Sequence, residues 1–288
     1  MERISGFGEE KLSKVAVFGR AIWDQWEEGP ASFGGPGANI SVHLKRLGLD
    51  VSLVTAFGCD EFSAKYEAYL ENLGVDISLA KHVNGELPRC QMSLRSSAFS
   101  WANGNDGFRA LAEVDVPAAL RLASSTVFVD FPISGASISK LSGPIFGVPG
   151  STLASGLTAV DVFLAVPFSA VILNRKEANW LEATVPVIQL SARSSCIWII
   201  TDGAGPISVF RNGAMRQYAP PNVAVINPVG GGDAFSAGVI AAIHRGLNID
   251  SAIGVGIECA RIIVSQVETQ SESMSWETLF GVPGPSSY

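Results

Sequence analysis

Residues 227–240 read NPVGGGDAFSAGVI, and how this stretch is understood decides the fold. A short apolar run, VAVI at 223–226, leads into it. From Ala234 to Arg245 nearly every position is apolar, the pattern of a helix buried on all sides. Gly230, Gly231 and Gly232 stand at the N-terminus of that helix. Glycines leave main-chain N–H groups uncovered, and the positive end of the helix dipole adds to them, so the turn suits an anion. Asp233 falls beside the glycines. A carboxylate there can take a proton from an attacking hydroxyl while the N–H groups hold phosphoryl oxygens in line. The plainer alternative is a glycine-rich turn in which Asp233 is an ordinary cap.

Working outward, apolar runs alternate with helical spacing. Residues 14–18 (KVAVF) read as a buried strand, and residues 38–47 place Ile40, Leu44 and Leu47 on one helical face with Gly48 as a stop. Residues 51–57 (VSLVTAF) read as the next strand, followed by a helix bearing Phe62, Tyr66, Tyr69, Leu70 and Leu73. Further strands are expected at 126–131, 170–173 and 196–201, and Asn212-Gly213 marks a hairpin turn. This rhythm predicts a parallel sheet with helices on its faces. Residues 82–108 break it, and antiparallel strands outside the main sheet are expected there. Two closing helices are predicted over 234–245 and 251–267.

Composition narrows the function. The chain has 288 residues, 47% hydrophobic and 16% charged, so disorder is excluded. The formal net charge is −7 without a basic cluster, which argues against nucleic acid or a membrane surface as partner. Cys59, Cys90, Cys196 and Cys259 are widely spaced, unlike a zinc site or a disulfide framework. The N-terminal residues lack a signal-peptide pattern and no uncharged apolar run spans a bilayer, so a cytoplasmic protein is expected. The first strand lacks the G-x-G-x-x-G turn of nicotinamide enzymes, and a G-x-x-x-x-G-K-[ST] loop is missing.

Residues 227–240 resemble the second signature of the PfkB (ribokinase-like) carbohydrate kinase family. The similarity runs in order through Gly34-Gly35-Pro36-Gly37-Ala38-Asn39 (the GG-x-GAN segment), Asn174-Arg175-Lys176-Glu177 (N-x-x-E) and Thr201-Asp202-Gly203 (T-x-G). It spans roughly residues 14–268. The resemblance implies one α/β domain over 1–288, a three-layer α/β/α sandwich with a small β-sheet lid from about 23–33 and 82–108. It implies ATP-dependent phosphorylation of a hydroxyl on a sugar or sugar-like molecule, with a nucleoside as the alternative acceptor. A non-catalytic sensor that keeps the fold is a further alternative. Asp233 is then the catalytic base, with Gly230, Gly231 and Gly232 as anion hole. Asp24, Gly34, Gly35 and Asn39 bind the acceptor. Asn174, Thr201, Gly203 and Cys259 bind the nucleotide, and Asn174 and Glu177 organise Mg²⁺. Trp23 and Trp26, flanking Asp24, either stack on a substrate ring or pack the lid. Arg20, Arg89 and Arg95 leave a phosphorylated acceptor open, and the lid offers an edge for a homodimer.

The chain departs from the family pattern in four places. Asn227-Pro228 replaces Asp-Thr, removing a charge and an N–H, which leaves a monovalent cation open. Pro206 stands where the T-x-G loop carries a further glycine, residues 143–150 (GPIFGVPG) lack an acidic residue, and Asn84-Gly85-Glu86 is the nearest match to the lid hairpin.

Overall fold

Alternation along the first strand sets the layers. In β1 (Lys14–Phe18), Val15 and Val17 join one buried cluster while Ala16 and Phe18 join another, because successive strand side chains point to opposite faces. The structure, a computed structural model, describes residues 14–27, 29–93, 99–102, 123–130, 143–150, 161 and 164–281. β1 pairs in parallel with β4 (Asp50–Val54) and with β9 (Ser125–Val129). The parallel run continues through β10 (Ile145–Val148), β11 (Ala170–Asn174) and β12 (Ile197–Asp202). An antiparallel hairpin of β13 (Gly205–Arg211) and β14 (Ala214–Tyr218) completes the eight-stranded order β14-β13-β12-β11-β10-β9-β1-β4. Its turn carries positive φ at both Asn212 and Gly213, as the sequence pair predicts.

Helices cover both faces, giving three layers. On one side lie α1 (Pro36–Arg46), α2 (Glu61–Asn72), α5 (Gly231–His244) and α6 (Ile249–Val264), whose apolar residues share a cluster with Val15, Val51 and Val127. On the other lie α3 (Arg175–Glu182) and α4 (Val187–Arg193), packed on Phe18, Phe128 and Trp198. A short α7 (Trp276–Phe280) follows. No described helix is long and apolar enough to cross a membrane.

A separate four-stranded sheet, ordered β3-β2-β7-β8, combines β2 (Ile22–Trp26), β3 (Ser32–Gly34), β7 (Arg89–Met92) and β8 (Phe99–Trp101). The two segments expected outside the main sheet supply it, although residues 28, 94–98 and 103–108 lie outside the described residues. Two corrections follow. The central pair β2–β7 is parallel, not antiparallel. Residues 51–57 form two strands, because β5 (Ala56–Phe57) turns away to pair with β6 (Lys81–His82). β10 was not anticipated: it is only four residues long and interrupted by Gly147, where a Cβ would sit 2.9 Å from the Phe168 ring.

Candidate active site

α5 starts at Gly231, three residues earlier than its apolar pattern begins, so the glycines belong to its first turn. Gly230 is the cap, with φ 81°, a left-handed conformation that glycine adopts without a Cβ penalty. The N–H of Gly231 reaches Pro228 O at 3.4 Å and that of Ala234 bonds Gly230 O. The N–H groups of Gly232 and Asp233 have no acceptor among the described residues. A Cβ built on Gly232 meets nothing within 4 Å. Bare donors therefore face open space at the positive end of a 14-residue helix.

The Asp233 carboxylate lines a cavity of about 230 Å³ with Asn174, Glu177, Thr201, Gly232 and Ser236. Its rim is the C-terminal end of β9 to β12, the edge where open α/β sheets bind ligands. Burial pushes the Asp233 carboxyl up to about 6, opposed by the hydrogen bond from Asn39. A second cavity of about 230 Å³ adjoins, sharing Thr201 and Gly232 and walled by Gly203, Pro221, Ile257 and Ala260. The apolar run at 223–226 is not core: Val223 and Val225 line this cavity.

Asp24 is buried in β2 and feels the charge of Asp233. Its carboxylate fills the space that a side chain at Gly34 would take. Burial first, and the Asp233 charge second, push the Asp24 carboxyl up to about 7. Gly34 gives its carbonyl to Tyr66 OH at 2.6 Å. Gly35 caps α1 at φ 92°, and a Cβ there would come within 2.7 Å of Arg20 O. The Gly35 carbonyl accepts from Asn39 N at 2.8 Å, so both glycine carbonyls are engaged within the fold. Asn39 differs from expectation in a further way: its Nδ2 donates to Asp233 Oδ2 at 2.8 Å and its Oδ1 accepts from Gln270 Nε2 at 2.9 Å. Both ends of this buried amide are engaged within the fold.

Asn174 and Glu177 form a capping box at the start of α3. Asn174 Oδ1 accepts from Glu177 N at 2.9 Å, and Asn174 N donates to Glu177 Oε2 at 3.0 Å. Burial first raises the Glu177 carboxyl to about 7; bonds from Asn174 oppose this and the Asp233 charge adds to it. No group of three or more His, Cys, Asp or Glu able to hold a metal occurs among the described residues. Of the carboxylates lining the cavity, Glu177 suits an ion that keeps waters and phosphate oxygens as most of its ligands, and a dication would relieve its burial penalty. Asn227, where the family pattern carries an acid, is held within the fold: its Nδ2 donates to Val267 O at 2.6 Å and its Oδ1 accepts from Val229 N at 3.0 Å.

Cys259 lies apart from both cavities. It is fully buried against Gly238 and is not among the lining residues. At 100° per residue it faces away from Ile257, Ala260 and Arg261, which do line the second cavity. Trp26 packs with Ile22, Cys90 and Met92, and Trp23 lies edge-on to Phe33, so both tryptophans pack the small sheet. Arg20 is ion-paired with Asp130 and sits 5.2 Å from the Trp101 ring centroid. Arg89 pairs with Glu86 at 2.5 Å; Arg95 lies outside the described residues. Gln270, Tyr69 and Asp130 were not singled out from sequence. Asp130 had a signal, an acid ending a parallel strand; Gln270 had none.

Residues 27–98 and 169–277 match the sequence profile described as pfkB family carbohydrate kinase. Fructoselysine 6-kinase of Escherichia coli is 26% identical over 238 residues, covering 79% of this chain and 87% of that protein. The nucleoside kinase of Methanocaldococcus jannaschii, an archaeal member of the ribokinase family, superposes with a TM-score of 0.80 at 19% identity, covering 94% of this chain and 98% of that one. Fructokinase of Vibrio cholerae, solved with fructose, ADP and calcium, superposes with a TM-score of 0.77 at 16% identity, covering 94% and 98%. The three-layer sandwich described above is thus a ribokinase-like fold.

Proposed function

This chain belongs to the pfkB family of carbohydrate kinases, and from that premise we propose how its own residues carry out phosphoryl transfer from ATP to a sugar or nucleoside hydroxyl. One observation carries the assignment: a cavity-facing carboxylate, Asp233, stands beside the N–H groups of Gly232 and of Asp233 itself, which have no acceptor among the described residues. Asp233 accepts the proton of the acceptor hydroxyl as its oxygen bonds to the γ-phosphorus and the bond from that phosphorus to the bridging oxygen of ADP breaks. The two amides, with the helix dipole, hold the phosphoryl oxygens and stabilise charge as it develops. The adjoining cavity walled by Gly203, Pro221, Ile257 and Ala260 takes the rest of the nucleotide. Asp24 accepts hydrogen bonds from acceptor hydroxyls at the lid side. Glu177 would hold Mg²⁺, which when bound would supply charge neutralisation at the phosphates.

We read the four-stranded sheet as a lid that excludes water from the acceptor, which limits futile hydrolysis of ATP. Its edge strands β3 and β8 are where a second copy would pair, and sedimentation of the purified chain tests this. A cytoplasmic setting suits an enzyme that draws on ATP. A sensor lacking catalysis has no use for an aligned base beside bare amides, so catalysis is favoured.

The test is Asp233→Asn, which keeps size and removes the base. Turnover should fall about a hundredfold or more, the usual scale for a general base, with ADP affinity retained by calorimetry. Near-normal turnover would reject the assignment. Acceptor class is read by ADP release against pentoses, hexoses, fructosamines and nucleosides.

A further inference from the structure

Three hydrogen bonds run in series from α2 to Asp233. Tyr69 OH donates to Gln270 Oε1 at 2.7 Å, Gln270 Nε2 donates to Asn39 Oδ1 at 2.9 Å, and Asn39 Nδ2 donates to Asp233 Oδ2 at 2.8 Å. Each amide has one accepting end and one donating end. A half-turn of Asn39 would present Oδ1 to Asp233 in place of N–H. Two bare oxygens at hydrogen-bond distance repel, so that arrangement requires a proton on Asp233. The orientation of Asn39 and the protonation of Asp233 are therefore one coupled variable.

Gln270 biases that variable. While its N–H group occupies Asn39 Oδ1, only the N–H end of Asn39 remains for Asp233. Tyr69, bonding Gln270 Oε1, favours the same order from the far end. We propose that Gln270 and Tyr69 are positioning residues that orient Asn39 with its N–H toward Asp233 and so hold that carboxyl in its ionised, proton-accepting form. The proposal rests on Asp233 being the base. It explains why Asn39 is spent on the fold: burial favours a proton on Asp233, and the aligned amide opposes it.

Other charges face the same group. Asp24 from β2, Glu177 from α3 and Tyr66 from α2 couple to Asp233. Asp130, ion-paired with Arg20, lines the same cavity. Arg46 and Glu272 bear on Tyr69. All remain in place in the variants below, so their fields act equally on wild type and mutant.

Gln270→Glu is nearly isosteric but offers only acceptors at this position. It takes a hydrogen bond from Asn39 Nδ2, turning Asn39 Oδ1 toward Asp233. Gln270→Met removes the orienting group without adding charge, and separates orientation from a simple field effect. The readout is a ¹³C NMR titration of aspartate carboxyls, with the Asp233 signal identified by its loss in Asp233→Asn. The Asp233 midpoint should rise by about one pH unit in Gln270→Glu, a tenfold change in the equilibrium, and by less in Gln270→Met. Tyr69→Phe should shift it in the same direction by a smaller amount, and serves if a Gln270 variant does not fold by thermal denaturation. An unmoved midpoint in both folded Gln270 variants, or in Tyr69→Phe if neither folds, overturns the proposal. A shift in Gln270→Glu alone overturns it too, since charge then suffices. If the midpoints move as stated while Asp233→Asn keeps turnover, the base assignment fails and the orienting chain stands.

Discussion

Asp24 is a carboxylate kept at a cost to the fold. Its folded-state pKa of about 7 lies above the unfolded aspartate value. Its stabilising contribution is full below about pH 4 and is lost as pH rises toward 7, because the folded form holds the proton more tightly. Asp24→Asn should therefore raise Tm at pH 8 by a few degrees, with the gain shrinking at pH 5 and gone below about pH 4. The same variant should raise the acceptor KM, and the two effects are separated by thermal denaturation and steady-state kinetics. An equal Tm at pH 8 would mean that the carboxyl is not penalised by burial. How far single residues could be read from sequence follows from the same physics. Asp233 was legible because glycines before a buried helix announce exposed amides. Asp24 was legible only through family resemblance, since its pocket is completed by Gly34 from another strand. The partner of Asn39 was hidden, because Gln270 meets it across 231 residues of chain and sits in a loop with no motif.

At the scale of elements, the start of α5 divides its glycines into two jobs. Gly230 needs positive φ, whereas Gly232 has helical backbone and an open face. Gly232→Ala should fold as well as wild type, yet its methyl would stand where phosphoryl oxygens approach the amides. Turnover should fall at least about tenfold, one lost donor's worth or less, with Tm unchanged; a normal rate would show that no phosphate comes that close. The loop after α6 gives a second prediction. Asn227 is a neutral amide where the family pattern carries an acid, and both its ends are engaged within the fold, so exchanging Na⁺ for K⁺ at constant ionic strength should leave the rate unchanged within about twofold. A large activation by K⁺ in the ADP-release assay would contradict this. Most element types were readable from periodicity, and the exceptions share a cause. β10 is short and holds Gly147 for the sake of a ring from elsewhere, and β5 leaves the sheet for a strand 25 residues on (Ala56 to Lys81). Tertiary contact, not local pattern, decided both.

Across the whole molecule, α5 and α6 lie close because glycines face each other between them. A Cβ on Gly238 would come within 2.9 Å of both Cys259 Sγ and Gly256 Cα. Gly238→Ala should lower stability by about 1–3 kcal/mol, the usual range for overpacking, while substrate KM values hold; urea unfolding measures it, and an unchanged midpoint would show that the helices can separate freely. The layered architecture itself was plain from strand and helix alternation, whereas the mixed pairing of the small sheet was not, since its strands come from segments far apart in the chain. Among its contacts with the main body, Val229 packs against Ile22, Trp26, Cys90 and Met92 of that sheet while immediately preceding Gly230. One valine thus links the sheet we read as a lid and the turn we propose holds the phosphates. Anything that draws the sheet inward braces that turn, and reciprocity requires the converse by the same factor. The two ligands should accordingly tighten each other's hold: ADP titrated by calorimetry in saturating acceptor should bind more strongly than without it, and Val229→Ala should bring the two titrations together.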